Sequence, residues 1–437
     1  MPIEASGQAM NVPTPLIPAP LPSAAPPAVP TGGPAAVSAD AGRATGFLRG
    51  LLAIFGNRVL DRIGAGLVTG SIEILLPDGR TRLLGGRADG AKALLHIIHW
   101  RALLRLAISG SGGWYIGWSK GEWTSPDAVA IFEVFSANRR TLGKTGRAQG
   151  VSRWWRQWAH RGQRNSRAGA RRNVAAHYDL GNDFYAAWLD PSLSYSSALF
   201  ENQAESLAVA QHRKLQAILD RTGTKAGDRL LEIGCGWGSF AALAASAGRK
   251  VHAITLSAEQ QASIDARALP GVEVTLTDYR DVAGQYDGIA SIEMVEAVGQ
   301  DYWADYLAVI ARALRPGGRA AIQFIAIDDA IFDAYAANAD FIQRHIFPGG
   351  MLLSRSRFRA LAEAQGLGWR DEHCFGPDYA ETLHRWRVAF DEAVAANRLP
   401  ARFDQHFTAL WRFYLMYCEG GFRGGGIDVA QVTLVKD

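Results

Sequence analysis

A short apolar run over residues 230–233 is followed by glycines at positions 234, 236 and 238. An apolar run of this length predicts a buried parallel strand, and the small residues over 239–247 predict a helix after it. Glycine is required where a backbone must approach a ligand closely, so this turn is a candidate ligand site. By itself the pattern is weak, because a tight strand-to-helix turn without a ligand also favours glycine.

Further strands are predicted over residues 250–256, 286–292 and 320–325, with helical patterns between them. Strands that alternate with helices indicate an open α/β sheet, whose ligands bind beyond the carboxyl ends of the strands. The turn has the pattern G-x-G-x-G rather than G-x-G-x-x-G, and no acidic residue closes the second strand to hold the ribose of a dinucleotide. The pattern therefore favours S-adenosylmethionine as the ligand.

The length and composition set bounds on the class of protein. The 437 residues allow two or three domains, and 48% hydrophobic with 20% charged residues suffices for a large core. No apolar run approaches the roughly 20 residues of a membrane span, and the N-terminus lacks the basic segment of a signal peptide. Three cysteines, Cys235, Cys374 and Cys418, make no disulfide framework, which predicts a reducing cytoplasm.

Four segments are predicted along the chain. Residues 1–45 are rich in Pro and Ala and are expected to be a disordered tail. Residues 46–140 are expected to form a small α+β domain for binding or docking. Residues 141–172 form a basic linker, and residues 173–437 carry the catalytic domain.

Within the small domain, residues 47–67 have helical spacing. Residues 71–84 alternate around Pro-Asp-Gly at 77–79, which indicates a hairpin. The stretches 91–108 and 128–137 are predicted to be helical.

Eleven Lys and Arg residues, and no Asp or Glu, lie within residues 139–172. Because the whole chain has a formal net charge of only +4, the remainder is net negative and the basic character is local. Trp154, Trp155 and Trp158 would share one side of a helix. A basic helix with a tryptophan stripe is typical of a segment that lies on anionic lipid. A solvated linker and a nucleic-acid patch are the alternatives.

The most specific motifs follow residue 172: HYDLGNDFY, YSSALF, LEIGCGWG, ITLSAEQ, DYRD, SIEMVEAVG, FIQRHIFPGG and FYLMYCEGGFR. In this order they resemble the cyclopropane-fatty-acyl-phospholipid synthase family, together with its mycolic-acid relatives. The pattern of residues 46–140 also resembles the family's N-terminal lipid-binding domain. The resemblance implies a doubly wound, seven-stranded, Rossmann-like α/β methyltransferase sheet with a smaller N-terminal α+β lipid-binding domain.

The resemblance further implies transfer of a methylene unit from S-adenosylmethionine to the cis double bond of an unsaturated phospholipid acyl chain. In the family a carbocation forms and a bound bicarbonate removes the proton. The cofactor-binding residues implied in this way are Tyr195, Ser196, Gly234, Gly236, Thr255, Leu256, Gln260, Tyr279 and Arg280. The glycines would admit the methionine moiety, and Thr255 and Gln260 lie past a strand end where the ribose would sit.

The catalytic residues implied by the resemblance cradle the bicarbonate: Glu296, Tyr379 and Cys418, with the backbone near Ile325. A carboxylate beside another anion needs a shared proton, which Glu296 could hold if its pKa is raised. No metal is expected.

Three positions depart from the family. Ser197 stands where Cys is frequent, Gln323 where His is frequent, and Ala297 where a His is common. Ser and Gln still donate hydrogen bonds to an anion, so Ser197 and Gln323 join the predicted catalytic residues, although Gln cannot change its charge near neutral pH as His can. Proton loss from another carbon would instead give a methyl- or methylene-branched chain without ring closure.

Two other classes of protein are less consistent with the motifs. A nucleic-acid methyltransferase would need an Asn/Asp-Pro-Pro-Tyr type motif after the strand 286–292, whereas the chain continues Glu-Met-Val-Glu. A lipid carrier without chemistry would not need the cofactor turn. The expected partners are an unsaturated phospholipid and the anionic inner face of the membrane, with no nucleic acid. The sequence leaves the oligomeric state open, with a homodimer as one alternative.

Overall fold

The computed structural model describes residues 39–143 and 180–437. Residues 48–437 form one compact unit, and the architecture below is that of this unit. Of the predicted disordered tail 1–45, residues up to 38 lie outside the described residues, and 39–45 are helical instead, as the first turns of a helix that begins at Ala39. Most of the predicted basic linker 141–172 also lies outside the described residues.

The N-terminal part of the unit carries a four-stranded sheet with helices against it. Its elements are α1 (Ala39–Gly66), β1 (Thr69–Leu75), β2 (Thr81–Gly85), β3 (Ala88–Ile97), α2 (Arg101–Ser119), β4 (Trp123–Thr124), α3 (Ala128–Ala137) and α4 (Arg139–Leu142). The strand order is β2-β1-β3-β4. The strands β1 and β2 pair antiparallel, which confirms the predicted hairpin, while β3 runs parallel to β1.

The predicted helix over residues 91–108 is wrong in its first half. Residues up to Ile97 form β3, and α2 begins only at Arg101. Leu95 and Ile97 are buried while Leu94 is half exposed, so the side chains alternate with a period of two. Pairing with β1 stabilises this alternation. The sequence does not reveal it, because apolar residues also stand next to each other in this stretch.

The C-terminal part of the unit is built on a second sheet. Its elements are α5 (Asn182–Ala186), α6 (Leu207–Arg221), β5 (Arg229–Ile233), α7 (Ser239–Ser246), β6 (Lys250–Thr255), α8 (Ala258–Asp265), β7 (Val272–Leu276), β8 (Tyr286–Ile292), α9 (Trp303–Ala313), β9 (Leu314–Ile327), α10 (Asp329–Ala336), α11 (Phe341–His345), β10 (Leu353–Ser354), α12 (Arg355–Ala364), β11 (Leu367–Cys374), α13 (Gly376–Ala395), α14 (Gln405–Arg423) and β12 (Ile427–Lys436).

The strand order of this sheet is β11-β12-β9-β8-β5-β6-β7, and the two-residue β10 pairs with β9. The strands from β9 to β7 run parallel, whereas β12 pairs antiparallel with both β9 and β11. The predicted doubly wound, seven-stranded α/β sheet is thus confirmed, with β10 as a short addition.

Strand β5 lies in the middle of the sheet, and both of its faces are covered. Leu230 packs with Phe240 of α7 on one face, while Leu231 packs with Leu307 of α9 on the other. Parallel strands need this double cover, which explains the continuous apolar run in the sequence.

The two sheets are joined through helix α14. Phe413 of this helix contacts Phe132 of α3, with ring centroids 5.3 Å apart. A Cβ atom at Gly420 would come within 2.4 Å of the Cβ of Phe132, so glycine is needed for this close helix contact. The N-terminal sheet is therefore held next to the C-terminal helices, and a cavity lies between them.

Candidate active site

A first cavity, of about 190 Å³, opens at the carboxyl ends of β5, β6, β7 and β8. All nine predicted cofactor-binding residues line it: Tyr195, Ser196, Gly234, Gly236, Thr255, Leu256, Gln260, Tyr279 and Arg280. They come from four separate segments of the chain, which the fold of the sheet brings to one edge.

The glycines after β5 serve two different purposes. Gly234 has φ +82° and a Cβ there would meet Met294 Cγ at 2.6 Å, so glycine is needed for packing. Gly236 has φ +52°, and a Cβ there would meet no atom within 4 Å. This second position opens onto the cavity and lets a ligand approach the backbone.

Unpartnered polar atoms in this cavity fit a polar cofactor. Thr255 donates a 2.7 Å hydrogen bond to Oε1 of Gln260, which leaves Gln260 Nε2 buried without a partner. Oε2 of Glu232 is likewise buried and unpartnered. Buried donors and acceptors in native proteins normally have partners, so a ligand with hydroxyl and amino groups suits the site.

The turn after β7 adds a charged pair. Asp278 is buried and accepts hydrogen bonds from Arg280 at Nε (2.8 Å) and Nη2 (2.7 Å). Burial raises the pKa of the neighbouring Tyr279 to about 12, so its hydroxyl stays protonated. Asp278 lines the cavity as well, although only the two residues after it in the DYRD motif were predicted.

Lys214 of α6 is a further site residue that the sequence did not reveal. Its ammonium group is buried against the cofactor cavity and donates a 2.6 Å hydrogen bond to Oγ of Ser196. Burial lowers the pKa of Lys214 to about 8 and raises the pKa of Glu232 to about 8. The sequence shows Lys214 only as a lysine within an amphipathic helix. Its burial becomes visible only when the elements packed around the helix are known.

A second, larger cavity of about 490 Å³ lies between the N-terminal part and the C-terminal sheet. Its lining is mainly apolar and includes Leu106, Trp114, Phe135, Ile327, Ile331, Leu383 and Ile427. Cavities of this size and character bind small apolar ligands.

The two cavities meet at three residues, Tyr195, Glu293 and Ala297, which line both. Tyr195 also bonds through its hydroxyl to the hydroxyl of Tyr414 over 2.8 Å, and its ring lies 5.3 Å from that of Trp386. Aromatic faces stabilise a nearby cation. A cofactor in the polar cavity could therefore reach a group in the apolar cavity past an aromatic wall.

The structure separates the five predicted catalytic residues into two groups. Glu296, Tyr379 and Cys418 line the apolar cavity, whereas Ser197 and Gln323 are buried and line neither cavity. The Ser197 hydroxyl donates to the carbonyl of Ala198 (2.9 Å), so this side chain is turned away from the cavities.

Glu293, directly after β8, binds several of these residues. Its Oε1 accepts hydrogen bonds from the backbone N–H of Ser197 (2.9 Å) and from Nε2 of Gln323 (2.8 Å). Its Oε2 accepts the Tyr379 hydroxyl at 2.7 Å. Burial raises the pKa of Glu293, while these three donors and the charge of Lys214 act in the opposite direction.

Glu296 lies one 3-10 turn further, with one oxygen accepting the backbone N–H of Ile325. Its other oxygen, Oε2, is buried without a partner. Burial first, and then the charge of Glu293, raise the pKa of Glu296 to about 8, so it holds a proton at neutral pH. Burial also raises the pKa of the Cys418 thiol, which keeps it uncharged.

Between residues 39 and 143 and from 180 onward, no group of three His, Cys, Asp or Glu side chains is arranged to hold a metal ion. Within these same ranges no helix is both long and apolar enough to span a bilayer.

Comparison with known proteins agrees with this geometry. The family model described as mycolic acid cyclopropane synthetase matches residues 165–432. The chain is 35% identical to the tuberculostearic acid methyltransferase UfaA1 of Mycobacterium tuberculosis, over 90% of this chain and 93% of that one. It is 36% identical to the cyclopropane-fatty-acyl-phospholipid synthase of Escherichia coli K12, over 60% of this chain and 66% of that one.

Among solved structures, the mycolic acid cyclopropane synthase CmaA1 in complex with SAH and CTAB is similar, with a TM-score of 0.57 and 30% identity. The alignment covers 61% of this chain and 98% of that one. The fold and the cofactor cavity define an S-adenosylmethionine-dependent methyltransferase. More narrowly, the chain belongs to the mycolic acid cyclopropane synthetase family of lipid-modifying methyltransferases.

Proposed function

We propose that this protein transfers the methyl group of S-adenosylmethionine to a cis double bond within the acyl chain of a membrane phospholipid. The observation that carries the proposal is the junction at which a polar cavity meets an apolar one. The polar cavity would hold the cofactor and the apolar cavity the acyl chain. Tyr195 lies at the junction, where its aromatic ring would face the sulfonium and the cation formed from the alkene.

In the reaction, the π electrons of the alkene form a bond to the methyl carbon. The bond between that carbon and sulfur breaks, its electron pair stays on sulfur, and a carbocation remains on the acyl chain. Loss of one proton then completes the reaction. When S-adenosylmethionine is bound, it supplies the electrophilic methyl group.

The position of the lost proton decides the product. Loss from a chain carbon gives a branched chain that keeps a double bond, and we favour this product. The relative that matches 90% of the chain is named a methyltransferase, and Ser197 and Gln323 stand where the family often has Cys and His. Loss from the new methyl group closes a cyclopropane ring. The family model and the E. coli synthase support this second product.

The exposed apolar side chains support action at a membrane surface. Of eleven large hydrophobic side chains exposed within the described ranges, eight lie before residue 144, including Leu51, Ile54 and Phe55 on α1. The basic segment 139–172 follows them in the chain. Exposed apolar groups that are followed in the sequence by clustered cations suit an anionic bilayer, so we propose that the N-terminal part docks there.

The direct test is an assay with vesicles. The protein is incubated with S-adenosylmethionine carrying a labelled methyl group and with vesicles of mono-unsaturated or fully saturated phosphatidylglycerol. We expect label and the mass of one CH2 group only in the unsaturated lipid. Both products have the same mass, so mild hydrogenation separates them: a branched chain that keeps its double bond takes up hydrogen and a cyclopropane does not. Equal labelling of the saturated lipid, or none of either, would refute the proposal.

A further inference from the structure

We infer that Glu293 is the general base of this reaction, a carboxylate built into the chain where the family resemblance placed bicarbonate. The inference rests on the proposed function, because it concerns the proton that is lost after methyl transfer. Glu293 lies at the junction of the two cavities and lines both of them.

Three of the five residues predicted to cradle bicarbonate bond to Glu293 instead: Ser197, Gln323 and Tyr379. Gln323 and Tyr379 donate to the Glu293 carboxylate with their side chains (2.8 and 2.7 Å), and Ser197 donates with its backbone N–H (2.9 Å), while its hydroxyl bonds to Ala198. Once both carboxylate oxygens hold these donors, the same donors are not available to bicarbonate. The residues present therefore do not fit a free anion in that cradle.

A chain of hydrogen bonds fixes the Gln323 amide in the orientation that Glu293 needs. Oε1 of Gln323 accepts Nε2 of Gln431 (3.0 Å), and Oε1 of Gln431 accepts Nε of Arg221 (3.1 Å). Since the amide oxygen is already bonded, its NH2 group faces Glu293. Gln keeps this donor at every pH, whereas the donor of a His depends on its protonation state.

The backbone at Glu293 also indicates a fixed position. Its φ is +49°, in the left-handed region that side chains other than glycine rarely adopt. Its N–H donates to the carbonyl of Gln323 over 2.8 Å, which holds this conformation. Such backbone outliers are found preferentially at functional sites.

The two neighbouring glutamates, Glu293 and Glu296, differ in how strongly their surroundings favour the ionised carboxylate. Glu296 retains its proton at neutral pH, because burial and the charge of Glu293 disfavour its ionisation. Burial raises the pKa of Glu293 as well, but its carboxylate accepts three hydrogen bonds and has the charge of Lys214 nearby, and both favour its ionised form; Glu296 has one oxygen without a partner. An ionised carboxylate at the junction of the cavities is able to take a proton.

Glu293 forms a new O–H bond with the proton next to the cation, and the C–H electron pair becomes the second bond of an alkene or the closing bond of a ring. The carboxylic acid releases this proton to solvent after the product leaves. Methyl transfer itself does not require Glu293.

Two variants test the inference. Glu293→Gln retains the size of the side chain but cannot take the proton, so turnover should fall by about 10²–10⁴-fold, the usual effect of losing a positioned proton-transfer group. Glu293→Gly removes the carboxylate and so leaves its three hydrogen-bond donors free to bind an added anion. Glycine also adopts the positive φ of this position without strain. Added bicarbonate should restore activity to Glu293→Gly and not to Glu293→Gln. Both variants should still bind S-adenosylhomocysteine in calorimetric titration, which shows that they are folded.

The wild type supplies the decisive comparison. In buffer depleted of carbon dioxide, its turnover should stay the same when bicarbonate is added. A wild type that requires bicarbonate, or a Glu293→Gln variant that turns over at the wild-type rate, would overturn the inference while leaving methyl transfer intact. A wild type that labels no unsaturated lipid would instead overturn the proposed function.

Discussion

Tyr379 donates its hydroxyl to Oε2 of Glu293 over 2.7 Å, from the start of α13 to the end of β8. This contact joins a residue that the family resemblance identified to one that it missed. The ring of Tyr379 packs against Phe422, with centroids 4.4 Å apart, so its position does not depend on the hydroxyl alone.

Tyr379→Phe should therefore shift the pH dependence of turnover. A donor to the charged form of a carboxyl lowers its pKa, so its removal should raise the pKa of Glu293. Because the base acts only when deprotonated, the loss of activity on acidification should begin at a higher pH in the variant. The matched control is Tyr414→Phe, which removes a hydroxyl bonded to Tyr195 and not to Glu293. An identical acid limb in the Tyr379 variant and the wild type would contradict this role.

Glu296→Gln should change the pH dependence of stability. Burial raises the pKa of Glu296 from 4.5 to about 8, so between these values the folded protein keeps a proton that the unfolded chain has lost. The wild-type free energy of unfolding should therefore fall as pH rises through this window and level off above it, by up to about 1.4 kcal/mol for each pH unit.

Gln does not titrate, so thermal melts at pH 5 and pH 8 should show the Glu296→Gln variant gaining stability relative to the wild type at the higher pH. The control Glu392→Gln, at an exposed position of α13, should show no such gain. A constant difference between the Glu296 variant and the wild type would mean that this carboxyl is not held neutral by burial.

Gly236→Val should abolish binding of S-adenosylhomocysteine in calorimetric titration. The position opens onto the cavity, and the new side chain would fill the space that the cofactor needs. Gly284→Val is the matched control, because Gly284 also has a positive φ and open space but lines neither cavity. Both variants carry the same kind of backbone strain. Equal affinities in the two would remove the glycine turn from the cofactor site.

The basic segment 139–172, most of which lies outside the described part of the chain, is predicted to bind anionic membranes. Each Lys or Arg near an anionic membrane contributes about 1 kcal/mol to binding. Replacing Arg153, Arg156 and Arg161 with Gln should weaken sedimentation with anionic vesicles strongly at low salt and less at high salt. Methylation of a detergent-solubilised lipid should suffer much less. Unchanged sedimentation would favour a solvated linker.

The cofactor cavity could be predicted from the sequence because its signals are local. A buried strand, a glycine turn and a following helix are contiguous, and the nine predicted residues all line the cavity. The strand β3 was missed for the opposite reason: adjacent apolar residues in 91–98 satisfy either periodicity, and only pairing with β1 decides between them.

The role of Glu293 could not be predicted from its neighbours in sequence. Its three partners lie 96, 30 and 86 residues away along the chain. In the local sequence Glu293 only ends a strand. The resemblance identified Ser197 and Gln323 as direct anion ligands, whereas the fold places a carboxylate of the chain itself between them and the cavities.

The most direct measurement is mass spectrometry of the phospholipids from a bacterial host that produces the wild-type protein, compared with one that produces Gly236→Val. We predict that unsaturated acyl chains gain one CH2 group only with the wild type, and that saturated chains do not change. An unaltered set of acyl chains in cells that accumulate a wild-type protein able to bind S-adenosylhomocysteine would contradict methyl transfer to a phospholipid acyl chain.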